Sequence, residues 1–365
     1  MMDFGNMKGN GDVRKALHAM VQTGRIPHAL MFYEDDGGGA LPVALEFLTE
    51  VFGGSGKVAR LIHPDIHYVY PVARGTRVDE KQENLRASLF LDYWRELMVE
   101  NPYATETEVS AAFGIEGKQA IINNAEAREI LETIYLSSVE GGYKTVVVYL
   151  PEKMNASAAN RLLKAIEEPP EKTLFLMITH APEKVIQTIT SRCQAFRVFP
   201  LDRTGIVSVL TGRFGASEED AMQAAAVSGG SIGTALRFLK DQEAWREGAL
   251  IFERILEALT AGDLLGALSC ADVLSESGSR EKQKAFCTFA GDCLRKLFLQ
   301  QQGLSSLAAF SPEEEAFYNR IAPRCKNQFP RTALALMDRA AMLLDRNVNP
   351  KIVFTDVIGR MYLMI

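Results

Sequence analysis

The sequence predicts an α/β domain built on a parallel sheet, followed by a long all-helical region. Residues 145–179 run strand, helix, strand, a length that closes a right-handed βαβ unit in a parallel sheet. A glycine-rich turn joins a second apolar strand to a helix between Pro27 and Phe52, repeating the pattern. From Asp202 onward, apolar residues recur at helical spacing and no strand pattern interrupts them.

A chain of 365 residues exceeds what one core usually serves, so two or three domains are expected. A hydrophobic fraction of 47% and a charged fraction of 24% suit a globular protein in water. No apolar run approaches the roughly 18 residues of a membrane span, and the start, MMDFGNMKGNGD, lacks a signal-peptide core. The expected location is cytoplasmic, with no membrane partner. Cys193, Cys270, Cys287, Cys293 and Cys325 form no CxxC pair and have no partnered His spacing, which points to reduced thiols rather than zinc. A net charge of -6 and a pI near 5.6 exclude an autonomous nucleic-acid binder with a broad basic face. Any DNA contact should be local or shared with partners.

The elements follow in order. Asp12 to Gly24 reads as a helix with Val13, Leu17, Met20 and Val21 on one face and Gly24 as its stop. Pro27 to Tyr33 is a buried-strand candidate, followed by a turn from Glu34 to Leu41 and a helix from about Pro42 to Phe52. Strand, glycine-rich turn and helix are the context of a P-loop, whose GxxxxGK[ST] sets a lysine on the β- and γ-phosphates, a hydroxyl on Mg²⁺ and backbone amides around the anion. Aligned on Gly39, this turn has Glu34 for the first glycine, Ala40 for the lysine and Leu41 for the hydroxyl. Gly37, Gly38 and Gly39 keep the shape of the turn, while Glu34, Asp35 and Asp36 would repel a triphosphate.

Residues 63–71 form a turn leading into a strand; His63 and His67 share a face there, but with no thiol nearby and Pro64 between them they are not expected to hold a metal. Residues 76–118 are more polar, with a helix expected near Leu89 to Glu100, and read as an insertion on the domain surface without a legible purpose. Gln119 to Asn123 suggests a short edge strand, and Ala125 to Ser138 a helix with Ile130, Leu131, Ile134 and Tyr135 inward. Thr145 to Leu150 is then a strand. Asn155 or Ser157 caps a helix that turns Ala158, Ala159, Leu162, Leu163 and Ile166 inward and carries Arg161 and Lys164 between them. Pro169-Pro170 stops it, Thr173 to Thr179 is the next strand, and Ser191-Arg192-Cys193 turns the chain into a last one. Helices are expected over 204–214, 217–228 and from Ser231, then to the end of the chain with a break at 275–280 and a loop near 303–312. The segments 331–345 and 351–365 carry more apolar residues than one hairpin covers. That leaves open a self-contained bundle or a face shared with other subunits.

Ala158-Ala159-Asn160 with Leu162-Leu163-Lys164, Glu167-Glu168-Pro169-Pro170, Phe175 to Thr179, and Thr188-Ile189 with Ser191-Arg192-Cys193 form a specific combination. It resembles the AAA+ clamp-loader subunits of bacterial DNA polymerase III. Pro27-His28-Ala29, His63-Pro64-Asp65 and 347–351 extend the likeness more weakly over most of the chain, residues 76–118 excepted. The resemblance implies an AAA+ P-loop-type parallel sheet domain over 1–200, a small helical lid domain over 201–242 and an all-α collar domain over 243–365.

The resemblance also implies roles, several of which this chain lacks. In ATP-hydrolysing relatives the strand before the crossover helix ends in Asp-Glu; here stand Tyr149 and Leu150. Relatives with a zinc module have cysteines near 53–62, where this chain has Gly53, Gly54 and Gly56. The nucleotide-sensing arginine of Gly-Ser-x-Arg is replaced in Gly230-Ser231-Ile232-Gly233, and Thr179, at the other sensing position, is expected to be structural. No ATP, Mg²⁺ or zinc is therefore expected on this chain. Ser191-Arg192-Cys193 is retained and implies an arginine finger, Arg192, reaching a neighbouring subunit's ATP. Implied partners are the motor subunits and the delta subunit of a hetero-pentamer, primer-template DNA through the assembled complex, and the sliding clamp as a further contact. Arg161 and Lys164 are candidates for DNA, or solvated helix charges. Three functions stay open: a non-hydrolysing subunit, not an enzyme by itself, that helps load the clamp onto primed DNA; an active motor subunit; or an AAA+-derived assembly protein in repair.

Overall fold

The computed structural model describes residues 9–276, 280–304, 308, 310 and 312–365. The chain divides into two compact units, Met1–Leu236 and Arg237–Ile365.

The first unit is organised by five strands: β1 (Ala29–Tyr33), β2 (Ile66–Val69), β3 (Lys144–Tyr149), β4 (Thr173–Thr179) and β5 (Gln194–Arg197). Their order across the sheet is β2-β3-β4-β1-β5, and every pairing is parallel. The continuous apolar runs of β1, β3 and β4 follow from cover on both faces. Leu30, Phe32, Val147, Tyr149 and Leu176 point into one core with Leu45 and Leu48 of the helix Ala40–Val51. Their neighbours Met31, Val146, Val148, Phe175 and Met177 point into the other, against the helices Asn124–Tyr135 and Ala156–Glu167. The crossover helix Ala156–Glu167 starts at Asn155, whose side chain accepts the Ala158 N–H at 2.7 Å; Ser157 lies inside the first turn. The expected parallel sheet and the helical region beyond it are both present.

Three sequence expectations change. Residues 76–118 are not a surface insertion: Leu85, Phe90, Trp94, Met98 and Phe113 are fully buried and belong to the same core as Leu30 and Phe32. Phe90, Trp94 and Met98 fall four residues apart, so one face of the 3-10 turn Ala87–Phe90 and helix Leu91–Glu100 packs on the sheet beneath a charged exterior. Trp94 stacks on Tyr70 with ring centroids 4.5 Å apart. A further helix, Glu106–Phe113, ends the segment. Residues 119–123 form no strand; Ile121 makes a single antiparallel bridge with Val72, and Ile122 a parallel one with Met154. Tyr135, the last residue of its helix, points outward and is 68% exposed, whereas Ile130 and Ile134 are buried.

Helices Arg203–Phe214, Glu218–Val227 and Ile232–Lys240 follow β5, the first two capped by Asp202 and Ser217. The second unit includes helices Gln242–Ala261, Leu264–Glu276, Arg280–Gln301, Pro312–Ile321, Phe329–Asp345 and Pro350–Met364 around Phe252, Leu256, Leu294, Phe329, Phe354 and Met361. Met342, Ile352 and Leu363 of its last two helices stay exposed. The break expected at 275–280 and the loop at 303–312 fall partly on 277–279, 305–307, 309 and 311, outside the described residues. Among the described residues no helix is long and apolar enough to cross a membrane.

Candidate functional site

β1, β3 and β4 end together at Tyr33, Tyr149 and Thr179, and the crevice beyond the carboxyl ends of such strands is where open α/β sheets bind ligands. The turn after β1 has the backbone of an anion loop, with Gly37 at φ 76 and Gly39 at φ 113, conformations that only glycine adopts without strain. Its anion is already present. Glu34 folds back so that its Oε2 accepts the Ala40 N–H at 2.6 Å, placing a carboxylate at the N-terminus of the helix Ala40–Val51. Ala40 and Leu41 are buried and present neither ammonium nor hydroxyl.

A cation from within the chain balances this acidic turn. His180 follows Thr179 and lies with Nδ1 at 3.0 Å from Glu106 and 3.6 Å from Asp36, and Nε2 at 3.8 Å from Glu34. Burial pulls the imidazole pKa down, but the bond to Glu106 and the neighbouring Glu34 and Asp36 outweigh it and lift the pKa to about 10. Burial raises Asp36 to about 6 against the pull of His180. Glu106 is driven up by burial but held at about 2 by His180 and by its ion pair with Lys153. Burial likewise raises Glu34. Thr179 is engaged by Glu152, which accepts its hydroxyl at 2.8 Å and the His180 N–H at 3.0 Å.

Tyr149 and Leu150 are buried where two acids would be needed, and the Tyr149 ring meets His180 edge-on at 5.6 Å. Ser231 and Gly233 close the other side: the Ser231 hydroxyl donates to the Asp36 carbonyl at 2.9 Å, and the Gly233 N–H to the Gly37 carbonyl at 3.0 Å. A Cβ at Gly233 would lie 2.4 Å from the Tyr103 carbonyl, so no arginine fits there without displacing backbone. These residues do not fit a Mg²⁺-nucleotide. The turn itself carries acids, the Ala40 amide at the helix start is taken by Glu34, and Tyr103 and Gly233 crowd the glycines of the loop.

Sequence reasoning identified the loop, Tyr149-Leu150 and Gly230-Ser231-Ile232-Gly233, and the structure brings them together. It missed His180, Lys153, Tyr103 and Glu106. His63 and His67 diverge, His63 stacking on Phe52 at 4.1 Å and lying 3.2 Å from Glu140, while His67 lies 3.3 Å from Glu126.

Ser191-Arg192-Cys193 lies elsewhere. β5 runs parallel to β1 with Leu30 beside Gln194 and Tyr33 beside Arg197. The turn just before Gln194 is therefore at the amino edge of the sheet, and Glu34 at the carboxyl edge, separated by four strand residues, roughly 13 Å. The Arg192 guanidinium donates to the Thr188 carbonyl at 2.8 Å and pairs with Glu167 at 3.0 Å, at the end of the crossover helix; its side chain is 30% exposed and that of Glu167 54%. Cys193 packs against the apolar core, and burial raises its thiol to about 11. Arg161 and Lys164 are exposed on the crossover helix, Lys164 three residues before the Glu167 that pairs with Arg192.

A family profile described as DNA polymerase III, delta subunit, matches residues 9–202. DNA polymerase III subunit delta' of Escherichia coli K12 is 31% identical over 145 residues, 39% of this chain and 43% of that protein. The subunit of the same name from Buchnera aphidicola subsp. Acyrthosiphon pisum is 24% identical over 189 residues, 52% of this chain and 57% of that protein. Subunit tau of Escherichia coli K12 is 29% identical over 157 residues, 42% of this chain and 24% of that protein. The chain thus spans at most 57% of the length of these relatives. A DNA polymerase III gamma subunit-related protein from Thermotoga maritima superposes over 95% of this chain and 98% of its own at 16% identity, with a TM-score of 0.41.

Proposed function

The chain belongs to the DNA polymerase III delta-subunit family, and on that premise we propose that it is a clamp-loader subunit that binds no nucleotide and serves a neighbour's ATP site with Arg192. The observation that carries this reading is the separation of the two edges of the sheet. Arg192 sits at the amino edge, where its own cleft at the carboxyl edge is out of reach, so a catalytic role for it must be played in trans. A guanidinium fork there can meet charge developing on the γ-phosphate oxygens of an adjacent subunit, a contribution of about 10³ to 10⁵ in rate. In its own cleft the missing lysine, hydroxyl and paired acids leave nothing to hold or hydrolyse ATP.

The reading extends to a hetero-pentamer with motor subunits and a delta subunit, loading the sliding clamp onto primed DNA in the cytoplasm. Residues 1–200 act as the sheet domain, 201–242 as a lid and 243–365 as the collar that meets other subunits, using apolar side chains such as Ile352 and Leu363. Arg161 and Lys164 face DNA within the assembled complex. The chain is an accessory protein rather than an enzyme by itself.

The test is a complex reconstituted with Arg192→Ala or Arg192→Lys. Native mass spectrometry is expected to show unchanged assembly, while hydrolysis at the adjacent site falls by roughly 10³ or more with alanine and recovers little with lysine, which lacks the planar fork. Wild-type hydrolysis in both variants would overturn the assignment of Arg192.

A further inference from the structure

Residues 101–108 have no assigned purpose, yet they enter the cleft between the sheet and the helices that follow it. The segment comes off the buried helix Leu91–Glu100 and is held rigid by its own bonds. Asn101 accepts the Tyr103 N–H at 3.1 Å, and Thr105 and Glu108 form a reciprocal capping box at the start of the helix Glu106–Phe113. On one side it meets the degenerate loop: the Glu106 N–H donates to the Asp36 carboxylate at 3.1 Å, and the Tyr103 ring lies where a Cβ on Gly39 would be 3.0 Å away. On the other it meets the helices after β5, Tyr103 edge-on to Phe214 at 6.3 Å and its carbonyl against Gly233. Beneath it the Glu106 carboxylate joins His180 and Lys153.

The loop after β1 and the helices after β5 thus meet this segment from opposite sides. We infer that residues 101–108 are the resident occupant of the former nucleotide cleft and fix the helices 203–236 on the sheet regardless of ATP. The inference rests on the nucleotide-free reading of the cleft and not on Arg192.

The placement makes an unusual prediction at Gly233. This residue is the second of the helix Ile232–Lys240, where alanine in place of glycine normally favours the helix. Against a fixed plug the sign reverses, because the added Cβ meets the Tyr103 carbonyl at 2.4 Å and the Gly37 Cα at 2.9 Å. Hydrogen exchange of the full chain reads both effects. In the wild type, amides of 203–214 and 218–236 are expected to exchange at the same rate with and without millimolar ATP or ADP. Gly233→Ala and, separately, Tyr103→Ala are expected to speed that exchange at least about tenfold, roughly 1.4 kcal/mol of opening free energy, while β3 and β4 stay protected. Wild-type rates in both variants, or slower exchange in Gly233→Ala, would overturn the plug and leave the nucleotide-free reading standing. Slower exchange on adding ATP to the wild type would overturn that reading itself.

Discussion

The two edges of one parallel sheet have opposite characters. At the carboxyl edge Glu34, Asp36, Glu106, His180 and Lys153 form a network in which the Glu34 and His180 side chains are buried and those of Asp36 and Glu106 are partly exposed, with glycine backbone packed around it. At the amino edge a single arginine is held by the Thr188 carbonyl, the Ser191 hydroxyl at 3.4 Å and one half-exposed carboxylate. The first arrangement is interlocked: His180 faces three carboxylates, and Glu106 faces both His180 and Lys153. The second is loosely held, so that Arg192 can exchange its partner for another anion at small cost. On the proposed reading, a cleft without a charged ligand neutralises its own loop, whereas a group that serves another subunit stays free to move.

The contrast can be broken most forcefully at His180. Removing the imidazole in His180→Ala leaves the buried Glu34 and the partly exposed Asp36 without their cation, Glu106 keeping Lys153, and a loss of about 2–4 kcal/mol is expected by chemical denaturation. A loss below about 1 kcal/mol would mean that the network is not a unit.

pH sharpens the same point. Because the folded pKa of His180 is about 10, above the ordinary 6.5, its stabilisation is fully present below pH 6.5 and is lost as pH rises toward 10. Asp36, raised to about 6, also loses stability in the alkaline direction, between 3.8 and 6. Glu106, lowered to about 2, stabilises above 4.5 and loses that contribution as pH falls toward 2. Denaturation midpoints are therefore expected to be highest near about pH 4–4.5, to fall as pH drops toward 2 and to fall as it rises, first through Asp36 and then toward 10 through His180, with the limb above about pH 6.5 missing in His180→Ala and unchanged in Arg192→Ala.

A smaller effect is expected at Gly37, where φ is 76 and a Cβ would lie 2.9 Å from the Gly233 Cα. Gly37→Ala should cost roughly 1–3 kcal/mol from left-handed strain and backbone crowding together; a neutral result would show that the loop and Gly233 separate readily. The smallest effect belongs to the open edge. Glu167→Ala removes a half-exposed ion pair and should change stability by less than about 1 kcal/mol in a thermal melt. A larger change would make the Arg192 pair structural and weaken the contrast.

Much of this was legible because its signal is local. The β-branched run before Tyr149, the caps and Pro169-Pro170 define the βαβ unit, and Ala40, Leu41, Tyr149 and Leu150 can be compared position by position with a working ATP site. The plug was hidden because its meaning is long-range: Tyr103 and Glu106 act on Gly39 and Asp36, more than sixty residues earlier in the chain. A signal for burial was available in the four-residue spacing of Phe90, Trp94 and Met98, masked by the surrounding charge. Nothing in the sequence around Thr179-His180 indicates a cation, since the charge of that imidazole is set by carboxylates from two distant segments.

The central claim is that the carboxyl-edge cleft is closed to nucleotide while Arg192 is kept for a neighbour. Equilibrium titration of the isolated full chain with a fluorescent ATP analogue and Mg²⁺ tests it most directly. No saturable binding is expected up to millimolar concentration; a dissociation constant in the micromolar range would contradict the account.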